Sequence, residues 1–189
     1  MSLDIVKELG FYAAYHWDFY NQVIHIVCIP MILWSVFVVL AFYSWPKSST
    51  FWPANLSTLA LGMYGVYYVM FDPVVGSIAA LFYLILWYLA NLLVMQEKAK
   101  GGSNLVKKGT SVKIAFVAHV FGWAMQVFVG HVIEGKKPAL FDSLFQAFSM
   151  APLFVIYECL FMLGFKQDLH HQIELEVKKT HAAWKVSKL

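Results

Sequence analysis

Four histidines lie inside or at the edges of segments that are otherwise apolar: His16, His25, His119 and His131. An ionisable side chain in hydrocarbon costs a few kcal/mol or more, roughly, so such residues usually face the interior of a helical bundle and serve a function. A neutral imidazole is also the commonest transition-metal ligand in proteins. These residues therefore predict a metal site within a membrane protein.

The spacing of the first two histidines restricts how they could share an ion. His16 and His25 are nine residues apart, which is about 180° around a continuous helix. They could bind one ion only if the helix breaks between them. We expect that break at residues 18–21, with Asn21 as the N-cap of the first long helix. The alternative is a pair of interfacial histidines hydrogen-bonded to the backbone, and the sequence leaves both interpretations open.

A second polar cluster occupies a later apolar segment. His119 and Gln126 are seven residues apart and nearly in line, while His131 and Glu134 are three apart and share a helix face. Packing alone does not readily explain so many polar residues in one span. Glu158 lies deep in the last apolar run and needs a partner or a proton there.

The composition shows which elements must position these side chains. The chain has 189 residues, of which 60% are hydrophobic and only 13% are charged, which is not typical of a soluble domain. We predict an all-α, polytopic transmembrane helical bundle with four or five spans. One pair is expected to form a hairpin at Asp72-Pro73, of which one member does not cross fully. The apolar runs are residues 24–43, 54–71, 73–95, 112–133 and 144–165.

The polar segments suggest how the chain is divided. Residues 1–165 are predicted to form a single transmembrane domain, and residues 166–189 a polar amphipathic tail containing a surface helix. The net charge of +3 comes from surface lysines, and no basic surface interleaved with aromatic residues predicts binding to nucleic acid. Membrane lipid is the expected surrounding.

The motifs in both halves of the chain resemble a family of small multi-pass membrane proteins. This family includes a fungal 2-hydroxy fatty acid dioxygenase of phytosphingosine breakdown. The resemblance covers nearly the whole chain and is weakest between Ser44 and Lys113. It rests on Leu9-Gly10-Phe11-Tyr12, Tyr15-His16, Asn21, Ile24-His25, Pro30, Gly122-Trp123, Gln126, Gly130-His131, Glu134, Pro138-Ala139-Leu140, Asp142, Leu144, Ala151-Pro152 and Glu158 through Leu163-Gly164-Phe165.

The resemblance implies an Fe(II)-dependent dioxygenase that uses O2 to shorten a 2-hydroxy fatty acid by one carbon in fatty acid α-oxidation. It implies iron binding by His16, His25, His119 and His131. Glu134 and Glu158 would orient the ligands or handle protons, and Asn21 and Gln126 would support them by hydrogen bonds. Lys136 or Lys137 could attract the substrate carboxylate.

One spacing departs from the pattern of the family. There, two residues separate the glutamine from Gly-His, whereas three separate Gln126 from Gly130 here, and the distance from Gln126 to Glu134 is unchanged. His131 is thereby moved by one position, which is about 100° around a helix. Either a π-bulge restores its direction or His131 points elsewhere.

Alternative functions and locations remain open at this stage. Two intramembrane imidazoles could instead hold haem in an electron carrier, and a non-enzymatic membrane scaffold or transporter needs no metal. The resemblance implies the endoplasmic reticulum membrane. The tripeptide Ser187-Lys188-Leu189, however, is a peroxisomal import signal, so the peroxisome is the alternative. The sequence does not predict the oligomeric state.

Overall fold

Helices form every regular element among the residues that the computed structural model describes, which are 4–45, 53–99, 108–135 and 144–186. The predicted all-α class is confirmed. The helices are α1 (Ile5–Tyr15), α2 (Phe19–Ala41), α3 (Leu56–Phe71), α4 (Pro73–Lys98), α5 (Thr110–Ala124), a π-helix (Met125–Gly130), α6 (His131–Glu134), α7 (Leu144–Met162) and α8 (Gln167–Val186).

Side-chain caps determine where several helices begin. The Asp4 carboxylate accepts the backbone N–H groups of Val6 and Lys7 at the start of α1. Asp72 does the same for the first turn of α4, at 3.0 and 3.1 Å. Pro73 follows it at the first helical position, where its missing N–H costs nothing. The predicted break at Asp72-Pro73 is therefore confirmed.

The lengths of the helices decide which of them could cross a membrane. Among the described residues, three segments are long and apolar enough: Phe19–Ala41, Pro73–Lys98 and Thr110–Glu134. Phe148–Met162 and Gln167–Lys185 meet at a bend of 117° and could provide a fourth, broken span. Helix α3 has only 16 residues, about 24 Å of helix against a hydrocarbon core of about 30 Å. One member of the hairpin was expected not to cross fully, and α3 is the shorter of the two.

The chain divides into two compact units. The first comprises Met1–Val27 with Met125–Leu189, and the second comprises Cys28–Ala124. Only the first unit brings together segments from both ends of the chain.

In the first unit, α8 packs along α1. Ile173 and Val177 are four residues apart on α8 and are both buried, as expected of an amphipathic helix. The two helices approach closely at Gly10, where a Cβ atom would lie 2.9 Å from Cγ of Glu176. Helix α8 is therefore a packed element of the unit that contains His16.

In the second unit, α3 and α4 form a hairpin joined by a buried polar network. Asn55 Nδ2 donates to Asn91 Oδ1 at 2.6 Å, and Asn91 Nδ2 donates to Ser57 Oγ at 3.1 Å. Ser57 Oγ in turn donates to Asn55 Oδ1 at 2.6 Å. Each of these buried polar groups has a hydrogen-bond partner within the ring, so burying them does not cost an unsatisfied donor or acceptor.

Candidate metal and substrate site

His16 and His25 lie against each other on either side of a break between two helices. Helix α1 ends at Tyr15 and α2 begins at Phe19. The two imidazole ring centroids are 4.3 Å apart, with an edge-to-face angle of 69°. Both side chains are buried, at 2% and 3% exposure. The structure thus has the predicted helix break and brings the two histidines together.

The cap of α2 is not the predicted residue. Asp18 Oδ1 accepts the backbone N–H groups of Tyr20 and Asn21 at 2.8 and 3.2 Å. The helix therefore begins before Asn21, which lies in its first turn, and the prediction that Asn21 is the N-cap is wrong. The Asp18 carboxylate reaches those N–H groups first, which leaves the Asn21 side chain available for other contacts.

The two histidines are held in the same way. Nδ1 of His16 donates to the carbonyl of Tyr12, and Nδ1 of His25 donates to the carbonyl of Asn21, both at 2.9 Å. A carbonyl only accepts, so Nδ1 carries the proton, and in the neutral ring the lone pair is on Nε2. A backbone acceptor on one ring nitrogen is the usual support for a metal-binding histidine. The same bonds are equally consistent with the alternative interpretation, in which the two histidines are only hydrogen-bonded to the backbone and bind no metal.

Aromatic side chains pack around the His16 ring. Tyr12 is stacked on it, with centroids 4.3 Å apart and planes 12° apart. The Phe154 ring of α7 lies 4.6 Å from Tyr12 and 6.5 Å from His16. Burial raises the pKa of Tyr12, so its hydroxyl stays protonated. These rings fix the orientation of His16 and exclude water from one side of it.

Glu158 lies one turn after Phe154 on α7. It is 5% exposed, and its carboxyl group makes no hydrogen bond or ion pair with any residue that the structure describes. Its predicted role in orienting ligands or handling protons therefore stays a prediction.

Glu134 connects α6 to the beginning of α2. Its Oε2 atom accepts the backbone N–H of Asp18 at 2.7 Å and Nδ2 of Asn21 at 3.4 Å. These bonds determine how the Asn21 amide is oriented, with the nitrogen towards Glu134 and the oxygen away from it. Glu134 thus positions the segment that carries Asn21 and His25.

The π-helix Met125–Gly130 immediately precedes His131. A π-turn holds one residue more than an α-turn, which is one of the two outcomes that the shifted spacing of His131 allowed. Gln126 is buried within it. The side chain of His131 lies outside what the structure describes, so its metal-binding role stays a prediction. Lys136 and Lys137 also lie outside the described residues.

His119 is in the second unit and has partners on both ring nitrogens. Its Nε2 accepts from Trp123 Nε1 at 3.1 Å, and its Nδ1 lies 2.8 Å from Ser35 Oγ. Ser35 Oγ donates onward to the carbonyl of Ile32 at 2.6 Å, so His119 Nδ1 is the donor. Both ring nitrogens of His119 are therefore used in hydrogen bonds, and we expect this residue to support the fold and not to bind a metal.

The described side chains bring together two of the four predicted metal ligands. Among the described residues, no three His, Cys, Asp or Glu residues are close enough to hold an ion. The pair that the structure brings together is His16 and His25. Tyr12 was expected only as part of the family motif and Asp18 only as part of the helix break, although Tyr12 precedes His16 by one helical turn and Asp18 is a good capping residue.

Comparisons with known proteins agree with the motifs. The chain is 30% identical over 179 residues to a protein of Saccharomyces cerevisiae named 2-hydroxy-palmitic acid dioxygenase MPO1, and the match covers 92% of each chain. No solved structure matches the chain significantly.

The family match extends over most of the described helices. Residues 3–163 match the family described as 2-hydroxy-palmitic acid dioxygenase Mpo1-like. This range includes both histidines of the pair, the π-helix, Glu134 and Glu158. The chain therefore belongs to the Mpo1-like family of 2-hydroxy-palmitic acid dioxygenases.

Proposed function

We infer that this protein is an Fe(II)-dependent 2-hydroxy fatty acid dioxygenase that shortens its substrate by one carbon. The observation that carries the proposal is the contact between His16 and His25, each with Nδ1 donating to a backbone carbonyl and its lone pair on Nε2. The relative in yeast is named for the oxidation of 2-hydroxy-palmitic acid, which supports the substrate class.

The residues present fit an iron ion. Imidazole nitrogens are suitable ligands for Fe(II), and the backbone bonds hold both rings in the tautomer that a metal requires. In this proposal His131, which follows the last residue of the π-helix, is the third ligand. When bound, Fe(II) would supply a binding position for O2 and for the hydroxyl and carboxylate oxygens of the substrate.

The protein's own residues would bind the substrate, orient the histidine ligands and shield the site from water. Tyr12 and Phe154 cover the His16 ring, Glu134 holds the start of α2, and Glu158 would hold a proton in the neighbouring apolar segment. Gln126 would support His131 from within the π-helix. Lys136 or Lys137 would attract the substrate carboxylate, and the acyl chain would lie among apolar helices in contact with membrane lipid.

The geometry argues against haem as the partner of this pair. Two axial histidines bind a haem iron from opposite faces, with the porphyrin between their rings. The His16 and His25 rings are in edge-to-face contact with centroids 4.3 Å apart, which leaves no room for a porphyrin between them. A scaffold or transporter remains the competing function, and it predicts no stoichiometric iron.

The decisive experiment compares wild type, His25→Ala and His171→Ala, each purified anaerobically in detergent. His171 is a matched control because its side chain is 68% exposed and pairs with Glu174 on α8. We expect nearly one iron per chain, and an O2-dependent conversion of 2-hydroxypalmitate to the acid one carbon shorter. Both should be lost in His25→Ala and retained in His171→Ala. Absence of metal and of product in wild type would favour the scaffold or transporter.

We further propose that the protein resides in the endoplasmic reticulum membrane, with the peroxisome as the alternative. The apolar helices support a membrane location, and Ser187–Leu189 lies outside the described residues. Fluorescence microscopy of the full chain, with its last three residues exposed or masked by a short extension, distinguishes the two. Peroxisomal signal that depends on the exposed tripeptide would overturn the endoplasmic reticulum assignment.

A further inference from the structure

The Asn21 side chain contains a buried oxygen atom with no hydrogen-bond donor. The residue is fully buried, and within the described part of the chain its Oδ1 has no partner. A buried acceptor that has lost its water without gaining a donor reduces the stability of the fold. Such an atom is retained most readily where a ligand supplies the missing donor.

The neighbouring contacts determine which amide atom is presented. Nδ2 of Asn21 donates to Glu134 Oε2 at 3.4 Å, and the same carboxylate oxygen is held by the Asp18 N–H at 2.7 Å. Reversing the amide would direct its oxygen at this carboxylate, and two acceptors repel each other. Glu134 therefore keeps Oδ1 turned towards Gly130 and His25.

Gly130 leaves the space that this oxygen occupies. A Cβ atom at position 130 would overlap Asn21 Oδ1 and would lie 3.5 Å from Cε1 of His25. The amide oxygen and the imidazole edge of His25 therefore both border the space beside Gly130, the last residue of the π-helix. Both π-turns and unsatisfied buried polar groups are frequent at functional sites.

The chemistry of an amide oxygen favours one kind of partner. It is a neutral acceptor, so it attracts an O–H group and repels a substrate carboxylate. Amide and carbonyl oxygens suit Mg²⁺, Ca²⁺ and Mn²⁺ better than the metals that imidazole prefers. An O–H donor that approaches the His16 and His25 pair is therefore a better match for Oδ1 than the metal itself.

We propose that Asn21 Oδ1 accepts a hydrogen bond from the 2-hydroxyl group of the substrate and so selects 2-hydroxy fatty acids over unsubstituted fatty acids. Because the acceptor is fixed on one side of the histidine pair, it also selects one enantiomer at C2. This inference rests on the proposed function for the identity of the ligand. It assigns Asn21 to substrate specificity, and Glu134 and Gly130 to positioning its amide.

The test measures binding, which does not require turnover. Dissociation constants are determined for palmitate and for each enantiomer of 2-hydroxypalmitate, by competition against a labelled fatty acid, on full-length protein in detergent. The samples are used as isolated and again after chelation, with iron measured in each, because iron also favours a hydroxy acid. The proteins are wild type, Asn21→Leu, Gly130→Ala and the control Gly62→Ala, whose new Cβ would have no atom within 4 Å.

For wild type we expect one enantiomer to bind about tenfold more tightly than palmitate, the effect of one hydrogen bond to a buried acceptor. Asn21→Leu should reduce both the hydroxyl preference and the enantiomer preference to about twofold or less. Gly130→Ala displaces the oxygen without removing it and should reduce both preferences in the same way. It therefore provides the test if Asn21→Leu does not fold. Gly62→Ala should bind like wild type.

Several results would overturn the inference. The first is that wild type does not prefer the hydroxy acid. The second is that Asn21→Leu keeps the preference for the hydroxy acid. The third is that Asn21→Leu loses this preference together with its iron. The last result would make Oδ1 a metal ligand. If wild type shows the Asn21-dependent preference but no turnover, the proposed reaction fails while the hydroxyl site stands.

Discussion

Glu134 Oε2 accepts the backbone N–H of Asp18 at 2.7 Å, across 116 positions of sequence. The bond joins the end of α6, which follows the π-helix, to the first turn of α2, which carries Asn21 and His25. A single carboxylate therefore ties the second polar cluster of the chain to the first.

Two substitutions of Glu134 should show whether its charge or its role as a hydrogen-bond acceptor stabilises the fold. Glu134→Leu removes the acceptor for Asp18 and should lower stability by about 1.5–3 kcal/mol, because a backbone N–H loses its partner. Glu134→Gln retains an acceptor oxygen and should lose less. Thermal unfolding in detergent measures both. Glu174→Gln, in the exposed pair with Lys178, is the control and should leave the melting temperature unchanged.

Tyr12 is expected to act through its ring and not through its hydroxyl. Tyr12→Phe keeps the ring stacked on His16 and should bind iron like wild type. Tyr12→Leu removes an aromatic pair worth about 0.5–1.5 kcal/mol, so iron binding should weaken by roughly twofold to tenfold. Iron titration of the metal-depleted protein measures this. Equal losses in both variants would instead assign a role to the hydroxyl group.

His119 should contribute to stability without binding iron. His119→Ala removes the acceptor of Trp123 Nε1 and the donor to Ser35 Oγ in the second unit, at a cost of about 1–3 kcal/mol. The melting temperature should fall while iron per chain remains at the wild-type level. Iron loss as complete as in His25→Ala would show that His119 is a ligand after rearrangement.

The hairpin between α3 and α4 should tolerate no side chain at Gly76. An added Cβ atom there would overlap the backbone carbonyl of Tyr68, and backbone cannot move aside cheaply. Gly76→Ala should therefore be strongly destabilising, or prevent folding altogether. Gly62→Ala, which meets no atom within 4 Å, should be neutral or stabilising by up to about 1 kcal/mol. Comparing expression and melting temperature of the two variants in detergent checks the contrast.

Local features of the fold could be predicted from the sequence because their causes are local. The break between His16 and His25 follows from the capping residues at 18–21, the hairpin follows from Asp72-Pro73, and the π-turn before His131 was one of two consequences of a shifted residue. The all-helical class follows from long apolar runs. In each case a few neighbouring residues are sufficient for the inference.

Contacts between distant segments could not be predicted in this way. The bond from Glu134 to Asp18 and the chain from Trp123 through His119 to Ser35 depend on how helices meet. The tail histidines show the same limit. A polar tail predicts solvated histidines, yet the ring of His170 stacks on Phe161 at 4.6 Å, and His181 lies 2.8 Å from the carbonyl of Ala14. Only His171 is largely exposed.

The packing of α8 on α1 determines how trafficking reporters for this protein have to be built. Deleting residues 166–189 to eliminate the tripeptide would also delete α8. The contacts of His181 with the Ala14 carbonyl and of Trp184 with Tyr15, next to His16, would then be lost. Loss of activity would then reflect an uncovered α1 and not a misplaced protein. Reporters should change only the residues beyond α8, or fuse the fluorescent domain elsewhere, so that location and catalysis are read independently.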